Sequence, residues 1–159
     1  MKTYKLNKIL SLLLTFCFLL SCGYEPVLKK ENQNFTITEF TLEGNRRLGG
    51  LLRNNLITAK KERNKLALTI KSSKKTSVTD KSQTGKILTY SVTASFDITA
   101  ISNIDGKIIF SKIYSRKQNY AASEVYLDTL NNEKEIVKTM IESVASEIQI
   151  GLNSIYVEK

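Results

Sequence analysis

LTYSVTASFDITA, residues 88–100, decides the fold. Leu88, Tyr90, Val92, Ala94, Phe96, Ile98 and Ala100 take every second position, and Thr89, Ser91, Thr93, Ser95, Asp97 and Thr99 fill the gaps. Successive side chains of a strand point to opposite faces, so this period of two describes a long strand with one buried and one wetted face. One-sided burial belongs to antiparallel sheets, because all-parallel sheets are covered on both faces and read as continuous apolar runs. Asn103, Ile104, Asp105 and Gly106 supply a turn, and residues from 107 to about 118 return as the hairpin partner. Upstream, Leu66, Leu68 and Ile70 alternate with polar neighbours and give another strand, after which residues 72–85 are polar and lysine-rich, a mobile loop or an extended sheet edge. Residues 35–42 make the first strand. Its apolar positions change parity from Phe35 and Ile37 to Phe40 and Leu42, as a bulge or two-sided burial requires.

Two helical patterns flank these strands. From Arg46 to about Lys61, Leu48, Leu51, Leu52, Leu56 and Ala59 share a stripe that Arg53, Asn54, Lys60 and Lys61 avoid, and Asn45 suits the N-cap. Gly49 and Gly50 cost that helix about 1 kcal/mol each relative to alanine, which predicts close packing against the sheet. From about residue 132 to 154, Val137, Ile141, Val144, Ile148, Leu152 and Ile155 recur at spacings of three and four, and Ile136 and Met140 widen the stripe. Asn132 with Glu135 three residues on resembles a capping box, and Glu133 would add charge favourable to the helix dipole. Residues 123–130 either join this helix or form a separate turn. The order strand, helix, strand, hairpin, helix predicts an α+β two-layer sandwich, β-α-β-β-β-α: a four-stranded, mostly antiparallel sheet with two helices on one face.

The start of the chain reads differently. Lys2, Lys5 and Lys8 precede ILSLLLTFCFLL, residues 9–20, and no acid occurs before Glu25. A basic start followed by a short apolar run is the pattern of a signal peptide, and the run falls short of the roughly 20 residues that a stable membrane span needs. Leu19-Leu20-Ser21-Cys22 then resembles the lipobox of bacterial lipoproteins, which implies cleavage before Cys22, a thioether-linked diacylglycerol on its sulfur and an acyl chain on the freed amine. At about 0.8 kcal/mol per buried CH₂, two or three chains anchor stably where one is marginal. Cys17 is a poor acceptor, since bulky Phe16 precedes it inside the discarded run. The expected organisation is a removed signal peptide over residues 1–21, a flexible tether over 22–34 and one domain over 35–159. Gly23 after the cysteine is compatible with the outer membrane, where an aspartate would favour inner-membrane retention.

Composition narrows the function. The chain contains no histidine, which removes the commonest general base and zinc ligand, and the expected mature chain keeps one cysteine, which bears lipid. Neither a disulfide nor a multi-cysteine metal site is then available, no cofactor beyond the acyl chains is expected, and an enzymatic reading is disfavoured. Ser72-Ser73-Lys74-Lys75 contains Ser-x-x-Lys, but without the companion motifs of penicillin-binding enzymes. With the first three lysines set aside, 21 basic residues exceed 15 acids by six. The excess is concentrated between Lys60 and Lys86, where nine bases face only Glu62 and Asp80. Such a patch attracts phosphate-bearing lipid, an anionic membrane or an acidic protein face, and nucleic acid is not a partner that an exported chain meets. Lys71, Lys74, Lys75 and Lys81 are the candidates for anionic contact, with Arg116 and Lys117 as outsiders.

Cys22-Gly23-Tyr24-Glu25-Pro26 after the lipobox, the segment RLGGLLRNNL at residues 47–56 and the amphipathic C-terminal helix together resemble the LPS-assembly lipoprotein (LptE) family. The middle segment is similar to the family's Arg-x-Gly-x-x-Leu-Arg-Asn-x-Leu pattern at Arg47, Gly49, Leu52, Arg53, Asn54 and Leu56, and the likeness spans the mature chain. Gly151-Leu152 departs from an Arg-Leu pair common in that family. The resemblance implies a non-enzymatic subunit of the outer-membrane LPS translocon, lipid-anchored and facing the periplasm or the lumen of its partner β-barrel LptD, which assists assembly of the barrel and insertion of lipopolysaccharide. The alternative is a membrane-anchored periplasmic adaptor or activator of another envelope complex, such as a peptidoglycan synthase or an ABC-type lipid exporter.

Overall fold

The computed structural model describes residues 34–57 and 64–157. Cys22, the signal peptide and the tether up to residue 33 lie outside the described residues, as do Ala59, Lys60, Lys61, Glu62 and Arg63. The elements are β1 (Thr36–Gly44), α1 (Arg46–Leu56), β2 (Lys65–Lys81), β3 (Ile87–Ser102), β4 (Ile108–Ala121) and α2 (Tyr126–Val157). They form the expected α+β architecture, a four-stranded sheet in the order β1-β2-β3-β4. β1 and β2 pair in parallel, and the two remaining pairs are antiparallel. Parallel neighbours need a crossover, and α1 provides it.

The parity change in the first strand is a bulge: the β1–β2 register shifts between Ile37 and Glu39. Gly44 ends β1 at φ +71°, where an added Cβ would stand 2.3 Å from the carbonyl oxygen of Ser72, so only glycine fits. Asn45 caps α1 as anticipated, its side-chain oxygen accepting the amide N–H of Leu48 at 3.1 Å. Gly49 also meets expectation, because a Cβ there would lie 3.2 Å from Ser72 Oγ on the sheet below. Gly50 does not. A Cβ at that position meets nothing within 4 Å, so packing does not explain its glycine.

Residues 72–81 resolve the choice between loop and edge in favour of the edge. β2 runs 17 residues and keeps its pairing with β3 as far as Lys81 opposite Ile87, whereas β1 stops at Gly44 opposite Ser72. Beyond Ser72 this strand therefore has a hydrogen-bonded neighbour on one side only.

The last helix begins earlier than its capping signal suggests, at Tyr126 rather than near Asn132, and spans 32 residues, about 48 Å at 1.5 Å per residue. Residues 126–130 thus belong to it. Tertiary partners replace the local cap. The Asn132 amide donates to the Ala121 carbonyl at 3.3 Å, and Glu133 accepts from Tyr120 and pairs with Lys74 instead of bracing the helix dipole.

The helical stripe is buried as read: Val137, Ile141, Val144, Ile148 and Leu152 pack with Leu48, Leu52 and Leu56 of α1 over Leu66, Leu68, Ile70, Val92, Ala94, Phe96, Ile98 and Ala100. Each large side chain so buried contributes roughly 1.5–3 kcal/mol relative to exposure. Leu51, placed on the apolar stripe of α1 by its spacing, is instead 45 % exposed. Gly151 has a packing reason of its own, because a Cβ there would lie 2.8 Å from the Phe110 ring.

Candidate functional site

The helices cover one face of the sheet and leave the other to solvent among the described residues. On the open face, β3 presents Thr93, Ser95 and Asp97, and the register places β2 and β4 residues on either side of each. Lys71, Asp97 and Ile113 form one such row, Ser73, Ser95 and Ser115 the next, and Lys75, Thr93 and Lys117 a third. The Ser95 and Ser115 hydroxyls stand 3.2 Å apart, within hydrogen-bonding distance. Neighbouring strands lie about 4.8 Å apart, so the backbones carrying Lys75 and Lys117 are about 10 Å apart, with exposed ammonium groups flanking one threonine. Lys71 stands directly opposite Asp97, which offsets part of its charge.

Of the four lysines singled out from sequence, the structure groups Lys71 and Lys75 on this face and adds the outsider Lys117. Lys74, one residue away in a period-two strand, points to the helix-covered side and pairs with Glu133 of α2. Its charge is thus shared with Glu133, unlike that of Lys75. Arg116 is likewise turned to the helix side, where it pairs with Glu147. Lys81 lies at the far end of β2, opposite Ile87, away from the lysine rows.

Lys74 belongs to a small, partly buried network. Glu133 accepts the Tyr120 hydroxyl at 2.8 Å through one oxygen and the Lys74 ammonium through the other, and Tyr120 stacks on Tyr90 with centroids 5.5 Å apart. Burial pushes the Tyr120 phenol well above its ordinary pKa, reinforced by the adjacent carboxylate. For Glu133 burial works to raise the pKa, but the hydrogen bonds from Lys74 and Tyr120 and the lysine charge outweigh it and hold the carboxyl below its ordinary value. Glu133 therefore stays ionised and fastens the outer half of β2 and the end of β4 to α2.

A second basic surface escaped the sequence reading. Where α1 begins, it leaves a groove of about 440 Å³ against the first half of α2, with an apolar lining that includes Leu48, Leu51, Val137 and Ile141. Arg47, Lys74, Lys134 and Lys138 stand among its lining residues, with Glu133 the one acid. The signal was present in outline, as Leu127, Leu130, Lys134, Val137, Lys138 and Ile141 share one helical face. It could not be completed without knowing that Arg47 and Leu51 lie across from it.

Among the described residues no helix is long and apolar enough to cross a membrane, and no three His, Cys, Asp or Glu side chains gather as a metal site would require.

No protein-family model matches the sequence, and no curated protein matches it either. Solved structures do match. The rare lipoprotein B from Shewanella oneidensis superposes with a TM-score of 0.54 at 17 % identity, over 76 % of this chain and 98 % of that one. A Caulobacter crescentus protein described as a lipoprotein gives 0.60 at 14 % identity, over 81 % and 95 %. The uncharacterized lipoprotein B from Nitrosomonas europaea gives 0.59 at 11 % identity, over 85 % and 93 %. At these identities the likeness concerns the fold, and it extends over nearly the whole of each neighbour. The β-α-β-β-β-α sandwich with its long final helix is thus a fold that this chain shares with bacterial lipoproteins.

Proposed function

We propose that the protein is a non-catalytic, lipid-anchored subunit of the outer-membrane machinery that assembles lipopolysaccharide, binding the LptD β-barrel and contacting lipopolysaccharide. The observation that carries this reading is the uncovered sheet face, polar along β3 from Thr93 to Thr99 and flanked by Lys71, Lys75 and Lys117. A polar, hydroxyl-rich face suits the wet lumen of a large barrel, and the ammonium groups suit lipid phosphates through charge-assisted hydrogen bonds. The lipobox at Cys22 and the lipoprotein fold of the structural neighbours support membrane anchoring. A fold does not by itself carry a function, so the assignment rests on this face and on the sequence resemblance. No cofactor is required beyond the acyl chains on Cys22, and the chain's lack of histidine accords with a binding role rather than catalysis.

Affinity purification of the full-length lipoprotein from envelope membranes tests the reading. An outer-membrane β-barrel should be recovered in stoichiometric amount, and Lys71→Glu with Lys75→Glu and Lys117→Glu should weaken lipopolysaccharide retention while the domain stays folded. Recovery of an inner-membrane complex without a barrel would replace this function with that of an adaptor for another envelope machine.

A further inference from the structure

The groove between α1 and α2 lies on the opposite side of the sheet from the lysine rows, and its chemistry is different. Leu48 and Ile141 close its floor, 3 % and 1 % exposed, whereas Leu51 is 45 % exposed on its wall. Leu127, 60 % exposed, stands one helical turn before Leu130 of the groove on the same face of α2 and extends the apolar path outward. Scattered exposed leucines need no explanation, but leucines gathered in a concavity do. The volume falls in the range of roughly 300–1,000 Å³ typical of ligand sites.

The charges around the groove are not balanced internally. Lys74 is used by Glu133, and Lys138 leans toward Glu142 at 3.9 Å. Arg47 and Lys134 have no ion-pair partner among the described residues. They stand on the two facing helices beside an apolar channel, long side chains that can lay their stems on apolar surface and keep their charged ends at the opening. An apolar trough with two cations at its rim that are unpaired among the described residues matches an acyl chain bearing an anionic head.

We infer that this groove binds a glycerophospholipid of net negative charge, with one acyl chain lying along Leu48, Leu51, Val137 and Ile141 and the phosphate held between Arg47 and Lys134. The inference does not rest on the lipopolysaccharide reading, which uses the other face. A guanidinium and an ammonium together give the phosphate both a forked and a point-charge donor.

The test uses the full-length lipoprotein in phosphatidylcholine vesicles doped with phosphatidylglycerol that carries a photoactivatable diazirine in one acyl chain. Adducts are expected within residues 45–55 and 130–141, and Arg47→Glu combined with Lys134→Glu should cut their yield at least about tenfold, as the loss and reversal of two phosphate contacts requires. Leu51→Glu, at an exposed position that leaves the core intact, should do the same by placing a carboxylate in the trough. Excess unlabelled phosphatidylglycerol should compete. The inference is overturned if adducts fall elsewhere, if a diazirine phosphatidylcholine labels the groove equally, or if lipopolysaccharide competes where phosphatidylglycerol does not. None of these results bears on recovery of the barrel.

Discussion

Replacing Glu133 with alanine probes how the long polar half of β2 is held. The carboxylate receives two donors from two strands, Tyr120 of β4 and Lys74 of β2. The Tyr120 residue is 6 % exposed, so loss of its acceptor strands a buried hydroxyl, and a hydrogen bond to a charged group is worth about 1.5–3 kcal/mol. The Lys74 side chain is 35 % exposed and its ammonium recovers water, which limits that contact to about 0–1 kcal/mol. The expected loss is about 2–3 kcal/mol, measured by urea unfolding of the mature chain with Cys22→Ala. Tyr120→Phe removes the donor as well as the need for it, and the double variant should lose about 1–2 kcal/mol less than the sum of the singles. Because the folded pKa of Glu133 is depressed, its stabilisation is present above the unfolded value, near 4.3, and is lost as pH falls through the folded value. Wild type should therefore lose stability below about pH 4.3 more steeply than Glu133→Gln. Additive single effects and parallel pH profiles would refute the network.

The glycines make a graded series. Gly50→Ala, with open space around its Cβ, should stabilise by about 0.5–1 kcal/mol in the same unfolding assay, and Gly49→Ala should gain less because Ser72 Oγ lies 3.2 Å away. Gly44→Ala should cost about 2 kcal/mol or more, since φ is positive and a backbone oxygen stands where the methyl would go. Gly151→Arg should shift the Phe110 ring, seen as altered aromatic NMR signals, and lower stability by about 1–3 kcal/mol. The Tyr114 hydroxyl is buried without a hydrogen-bond partner among the described residues, so Tyr114→Phe should leave stability unchanged or raise it by up to about 1 kcal/mol. Palmitate labelling should be lost in Cys22→Ala, and a labelled variant would argue against that anchor site.

What the sequence revealed follows from where apolar side chains fall. The strand at residues 87–102 was legible because one face packs under helices and the other meets water, and the stripe from Val137 to Leu152 for the same reason. The outer half of β2 was ambiguous because its alternation is polar on polar. Lys71, Ser73 and Lys75 face solvent, while Lys74 on the other side meets Glu133 rather than an apolar core, so no hydrophobic period marks it. The start of α2 was misplaced because Asn132 and Glu133 look like cap residues when their partners, Ala121, Tyr120 and Lys74, are unseen. Charge alone could not sort the lysines, since Lys74 and Lys75 differ only in which way the pleat turns them. The groove was hidden more deeply. Arg47 and Lys134 are far apart in sequence and come to line one groove only through the packing of two helices over the sheet.

The most direct measurement is the amount of lipopolysaccharide at the cell surface when this protein is depleted and then supplied again as wild type or as Cys22→Ala. Surface lipopolysaccharide should fall on depletion and return with the wild-type chain, with the Cys22→Ala chain falling short. An unchanged level after depletion would contradict the account, whatever the protein is found to bind.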